Sequence, residues 1–323
     1  MKTSEKIIEY IKARGQVSGS ELTAYLEISD RGVRKQLASL LTKGLLQKIG
    51  KPPKVYYLIK QKDKKESNII IDKKIKQIID DNILTISPRG ERRDGFTGFV
   101  YWCLRNHLDV KKTASEYVKT IAKYDRYKKK GLISGMTKMR NTFDKVYLDK
   151  LFYLDFYSIE RFGKTKLGQM LLYGKQSGDR KLIKNIIKET RPTINQVIKE
   201  NKINAVGFIP WTMKREVQFM RELEKGLNLN AKIISIEKVK TEIIVPQKTL
   251  RKLRDREDNA RNTFVVNELG QYNNILLIDD AVGSGATLNE VAKQIKKKKI
   301  AKKVIGLALT GSFKGFDIIS EVW

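Results

Sequence analysis

Asp279 and Asp280 are adjacent carboxylates set between an apolar run at 275–278 and a loop of glycines and hydroxyls, Gly283, Ser284, Gly285, Ala286 and Thr287. Four apolar residues bounded this way predict a buried strand, and the residues from about Thr287 predict a helix. A strand, a carboxylate pair, a Gly-hydroxyl loop and a helix start together suit a sugar phosphate. Loop N–H groups and the helix start donate to an anionic phosphate, and two carboxylates accept from the two ribose hydroxyls. Two other phosphate loops are excluded. A P-loop requires Gly-Lys-Ser/Thr, and Gly285 is followed by Ala286; a dinucleotide fingerprint requires a third glycine where Leu288 stands.

The rest of the chain must position this motif. Its 323 residues suit two or three domains, and 41% hydrophobic content suffices for real cores. No apolar run approaches membrane length and no leader is visible behind Met1, so a cytoplasmic protein is expected. Cys103 is the single cysteine and fits a reducing compartment. With His107, the single histidine, it falls short of a zinc ligand set, so both read as packing or surface residues and no protein-held metal is expected. The formal charge of +30 implies attraction to polyanions, although the lysines are spread along the chain and many suit solvated faces.

Residues 1–62 read helix, helix, helix, strand, turn, strand. Ile7, Ile8 and Ile11 make one helical face; Ser18 and Glu21 have capping-box spacing; Ser29 or Asp30 caps a third helix with an apolar face of Val33, Leu37, Leu40 and Leu41, which Gly44 ends. Two strands, 45–49 and 55–59, flank Gly50-Lys51-Pro52-Pro53. This layout resembles a winged helix-turn-helix. Arg31, Arg34 and Lys35 on the third helix would meet a major groove, and Lys48, Lys51 and Lys54 around the wing would meet phosphates. Residues 63–150 read as a polar linker followed by a mainly helical connector. Its aromatic and basic residues suit a core and a solvated face better than a clamp for single strands.

The phosphate motif resembles the phosphoribosyl-diphosphate (PRPP) motif of type I phosphoribosyltransferases, and the order of segments over 151–309 is similar to the competence-protein ComF branch of that family. The stretch 162–179 looks like that branch's helix with a Lys-Tyr-Gly-like end, 205–210 like a strand, 215–227 like its Arg-Gly-Phe-Asn-Gln helix, 233–236 like another strand, 246–264 like its mobile Arg-rich segment, and 304–309 like a strand that closes the sheet. The family's zinc ribbon is absent, Arg215-Glu216-Val217-Gln218-Phe219 departs from Arg-Gly-Phe-Asn-Gln, and Gly283-Ser284 replaces Thr-Thr. The resemblance implies a type I phosphoribosyltransferase-like α/β domain over 151–323, with a parallel sheet and helices. It assigns Gly283, Ser284, Gly285, Ala286 and Thr287 to the 5′-phosphate, Asp279 and Asp280 to the ribose hydroxyls as the catalytic pair, and Lys214 and Arg215 to the pyrophosphate. Magnesium would be held mainly through the PRPP, and the 246–264 segment would close over the site.

Two functions fit. One is a ligand-responsive DNA-binding regulator that senses PRPP or a nucleotide, an architecture similar to the Gram-positive purine repressor's. The other is an active phosphoribosyltransferase or ribosyl-modifying enzyme, such as a phage-defence effector, targeted by its winged domain. The altered 215–219 segment and the lack of a readable base-recognition motif favour the regulator. A homodimer suits either, since winged modules read paired half-sites; a protein or nucleoprotein partner is also open, and no membrane partner is expected.

Overall fold

The computed structural model describes residues 2–60, 69–211, 215–239, 245 and 249–313, with Lys51 described in its backbone alone. The chain divides into two compact units, Met1–Asn68 and Ile69–Trp323.

The first unit is a winged helix: α1 (Thr3–Arg14), β1 (Gln16–Ser18), α2 (Gly19–Leu26), α3 (Asp30–Thr42), β2 (Leu46–Lys51) and β3 (Lys54–Ile59). Its antiparallel sheet has the order β1-β3-β2. The expected capping box forms: Glu21 N–H donates to Ser18 Oγ at 3.2 Å and Ser18 N–H to Glu21 Oε2 at 2.6 Å. Ser29 caps α3 by accepting from Gly32 N–H at 3.2 Å. Leu45 N–H reaches back to Leu40 O at 3.0 Å across Gly44, whose φ is 66°, a Schellman ending that glycine permits. Ile7, Ile11, Val17, Leu22, Val33, Leu37, Leu40 and Leu46 form one core. In so small a unit each such side chain contributes about 1.5–3 kcal/mol, and few can be spared.

The second unit begins with α4 (Lys73–Asn82), a hairpin of β4 (Leu84–Ile86) and β5 (Arg92–Asp94), α5 (Gly95–Arg105), α6 (Val110–Asp125), β6 (Lys128–Lys129), β7 (Leu132–Ser134) and α7 (Met136–Thr142). There follow β8 (Lys150–Phe156), a short hairpin of β9 (Ser158–Ile159) and β10 (Gly163–Lys164), α8 (Lys166–Ser177), α9 (Arg180–Glu200), β11 (Ala205–Phe208) and α10 (Phe219–Leu227). Last come β12 (Lys232–Ile233), β13 (Ile236–Lys238), α11 (Leu253–Thr263), β14 (Phe264–Val266), β15 (Tyr272–Val282), α12 (Ala286–Lys297) and β16 (Ala301–Gly311).

Seven strands make the main sheet in the order β12-β11-β15-β16-β8-β7-β6, parallel from β12 to β8 and antiparallel beyond. Both faces are covered, which is why 275–278 is apolar without alternation. Ile275 and Leu277 join a core with α12, α11 and α7; Leu276 and Ile278 join another with α8, α9 and α10. The fold is therefore the expected α/β class with a parallel-rich sheet and an N-terminal winged helix.

Three local expectations are corrected. The strand at 304–309 does not close the sheet; β16 lies inside it, and residues 128–134, from the segment read as a connector, supply the edge. The residues read as one strand at 233–236 split between β12 of the main sheet and β13 of a hairpin with β14. The helix expected from Arg215 starts only at Phe219, so Arg215 stands in the loop ahead of it. Phe99 and Tyr117 are buried, and Tyr117 meets Phe162 edge-on at 5.0 Å, so these connector aromatics are core. Cys103 lies in the same core, and burial pushes its thiol up to about 12.

Candidate functional site

β15 runs to Val282, so both carboxylates belong to the strand itself. Successive strand residues face opposite sides of a sheet. Asp279 is in register with Ala308, whose core includes α7, α11 and α12. Asp280 faces the other layer, where Lys175 in the last turn of α8 donates from Nζ to Asp280 Oδ2 at 2.5 Å. The backbone oxygen of Lys175 accepts from Arg215 Nη1 at 2.8 Å. Arg215, Lys175 and Asp280 thus form one connected series. Lys175 was missed by sequence reading: it lies 105 residues from Asp280, and only the packing of α8 on the sheet joins them.

Asp279 keeps part of its surface open but sits deep among protein atoms. Burial, and then the charge of Asp280, push its carboxyl up to about 8; the Asp280 N–H, which donates to Asp279 Oδ1 at 2.7 Å, and Lys175 oppose the rise. On the Asp280 side, burial and then the Asp280 charge push the Tyr157 phenol up to about 12.

Beyond Val282 the loop turns tightly into α12. Ser284 is buried, and its Oγ accepts from Ala286 N–H at 3.2 Å, leaving the hydroxyl proton as a donor. Gly285 has φ +90°, and a Cβ there would lie 2.4 Å from Met139 Sδ of α7. Only glycine fits both the backbone and the neighbour. The Ala286 side chain is buried against the core, so its contribution to a ligand is confined to its backbone; Gly283 and Thr287 are half-buried beside it. Lys214 lies outside the described residues.

α7 and α11, whose Met139 and Ala260 join the core on the Asp279 face, each carry a cation beside those residues. Lys138 of α7 is partly buried, and its ammonium is pushed down to about 8 by burial and then by the Arg256 charge. Arg256 of α11 is 8% exposed and donates from Nε to Leu250 O at 2.7 Å. A cleft of about 190 Å³, lined by Asp144, Glu257, Arg261, Ala286, Glu290 and Lys293 among others, runs along α12 from its first residue.

In the first unit, Arg31, Arg34 and Lys35 are exposed on α3, and Arg34 pairs with Asp30 one turn back. Lys48 and Lys54 are exposed on the wing strands; the Lys51 side chain lies outside the described residues. The third helix and the wing thus carry exposed basic groups together. Among the described residues no group of three or more His, Cys, Asp or Glu could hold a metal, and no helix is long and apolar enough to cross a membrane.

Residues 3–58 match the family model of a helix-turn-helix domain. No curated protein matches the chain. Among solved structures the chain is similar to a hypoxanthine phosphoribosyltransferase from Staphylococcus aureus, at 17% identity over 40% of this chain and 62% of that one, with a TM-score of 0.25. The chain therefore spans less than two thirds of that protein's length.

Proposed function

We propose that the second unit is a phosphoribosyltransferase-like domain, of ComF type, that binds PRPP or a related nucleotide, and that the winged helix binds DNA in a manner this ligand controls. The observation that carries the reading is the strand end itself. Two carboxylates lie near the end of a buried central strand, one tied to Lys175, and a glycine loop with Gly285 at φ +90° follows the strand into α12. Asp279 and Asp280 accept from the ribose hydroxyls, the Gly283–Thr287 backbone and the Ser284 and Thr287 hydroxyls hold the 5′-phosphate, and Lys214 and Arg215 attract the pyrophosphate. Magnesium fits this donor set only as a guest of the ligand, with one or two carboxylates beside phosphate oxygens. When bound it would neutralise pyrophosphate charge.

In the first unit Arg31, Arg34 and Lys35 enter the major groove while Lys48, Lys51 and Lys54 hold the backbone, and a homodimer reads two half-sites. One observation favours turnover as the second reading: a carboxyl at about 8, as at Asp279, is matched to proton transfer near neutral pH.

The test is calorimetric titration with PRPP and magnesium, of the wild type beside Asp279→Asn/Asp280→Asn. The wild type binds and the double variant does not. DNA affinity that shifts with PRPP supports the regulator; pyrophosphate release supports the enzyme. Absence of binding by the wild type would sink the assignment.

A further inference from the structure

The carboxylate pair poses a charge problem of its own. Asp279 and Asp280 are chain neighbours, and two carboxylates held close in a partly buried place favour uptake of a proton by one of them. A protonated carboxyl turns one oxygen into a donor, whereas a ribose hydroxyl is held best by an ionised acceptor. A cation on one carboxylate settles which of the two stays ionised.

α8 supplies that cation. Lys175 Nζ donates to Asp280 Oδ2 at 2.5 Å. The Asp280 side chain is 18% exposed, so removing its partner leaves a carboxylate largely cut off from water. An ionised carboxylate has about four lone-pair sites, and the ammonium occupies one. The contact therefore fixes the carboxylate while leaving it able to accept from a ligand.

The backbone around Lys175 is held as firmly as the side chain. α8 ends at Ser177, and Gly178 follows at φ +62°. A Cβ at Gly178 would lie 3.1 Å from Val217 Cβ, so the loop before α10 packs on this helix end. Arg215 of that loop donates from Nη1 to Lys175 O at 2.8 Å, and Gln218 Nε2 donates to Arg215 O at 3.0 Å. The last turn of α8 thus bears Asp280 through a side chain and the 215–218 loop through its backbone.

We propose that Lys175 is a positioning residue: its ammonium keeps Asp280 ionised and aimed as the acceptor of a ribose hydroxyl, and its backbone oxygen seats Arg215 on the same helix end. Lys175 itself touches neither sugar nor phosphate. Its effect is on discrimination, raising the affinity for a ribose 5-phosphate ester over that for phosphate alone. The inference rests on the reading of Asp279 and Asp280 as the ribose site.

The experiment titrates the full chain by calorimetry with inorganic phosphate and with ribose 5-phosphate, near neutral pH and at fixed ionic strength. The ratio of the two affinities is the gain from the ribose. Wild type is compared with Lys175→Met, Lys175→Arg and Lys184→Met, an exposed-lysine control on α9. Lys175→Met is expected to cut the gain by about tenfold, the size of one charge-assisted hydrogen bond. Its phosphate affinity stays within about threefold of wild type, because a cation out of contact acts only through a screened field. Lys175→Arg recovers most of the gain, and Lys184→Met matches wild type. On an Asp280→Asn background, Lys175→Met removes nothing more. Lys175→Gln, equally uncharged, loses the same gain and carries the comparison if Lys175→Met does not fold.

A Lys175→Met protein that keeps the wild-type ratio overturns the inference and leaves the ribose reading standing. So does one whose phosphate affinity and melting temperature fall in step with the loss, or a further loss on the Asp280→Asn background. A wild type that binds phosphate but gains nothing from the ribose sinks the ribose reading and this inference together. A wild type that binds neither removes the phosphate loop as well.

Discussion

Replacing Asp279 by asparagine should stabilise the protein while abolishing its binding of a ribose ligand. Asp279 carries a carboxyl raised from an ordinary 3.8 to about 8. The folded state therefore holds this proton more tightly than the unfolded chain does. Between pH 3.8 and about 8 the folded state binds more protons, so its stability falls as pH rises through that window. Below the window the penalty is absent; above it the penalty is complete. A rise of about four units, at about 1.4 kcal/mol each, sets a ceiling of about 6 kcal/mol. Asp279 keeps some solvent contact, and Lys175 lies near, so an effective value of about 2 kcal/mol is the working figure. Asparagine keeps the Oδ1 that accepts from the Asp280 N–H and carries no charge. The gap between Asp279→Asn and wild type should be near zero at pH 4.5 and open to about 2 kcal/mol at pH 8.5. In a unit of this size that is about 4–8 °C in the melting temperature. Differential scanning calorimetry across that pH range, with the winged helix as internal reference, measures it. A gap that does not widen with pH, or a less stable variant at pH 8.5, would refute the burial argument.

Leu37→Ala empties a site that is 2% exposed in the small N-terminal core, at a cost of about 2–5 kcal/mol; hydrogen exchange should show α3 losing protection while β15 keeps its own. Gly285→Ala places a Cβ at φ +90° and 2.4 Å from Met139 Sδ; phosphate binding should fall at least tenfold, and if Met139→Ala does not restore part of it, the strain is in the backbone. Lys48→Gln and Lys54→Gln should each weaken DNA binding evenly across sequences and reduce the slope of log affinity against log salt by about 0.9, whereas Arg31→Gln should relax sequence preference; filter binding across a salt series separates these effects.

Features set by short-range chemistry are legible in the amino-acid order alone. The capping box at Ser18 and Glu21, the α3 face of Val33, Leu37 and Leu40, and the order strand, carboxylates, glycine loop, helix at 275–287 all depend on residues a few positions apart. Periodicity and capping record such relations directly. Even there the boundaries moved: β15 extends through both aspartates, and α10 begins four residues after Arg215. Long-range packing settles that α8 brings Lys175 to Asp280, that residues 128–134 extend the sheet, and that α7 sets Met139 against Gly285. It also decided that Asp279 holds its proton near neutral pH while its neighbour is paired. The reason is physical. Burial and charge at a site are sums over atoms from distant parts of the chain, and no local spacing encodes which of them will meet.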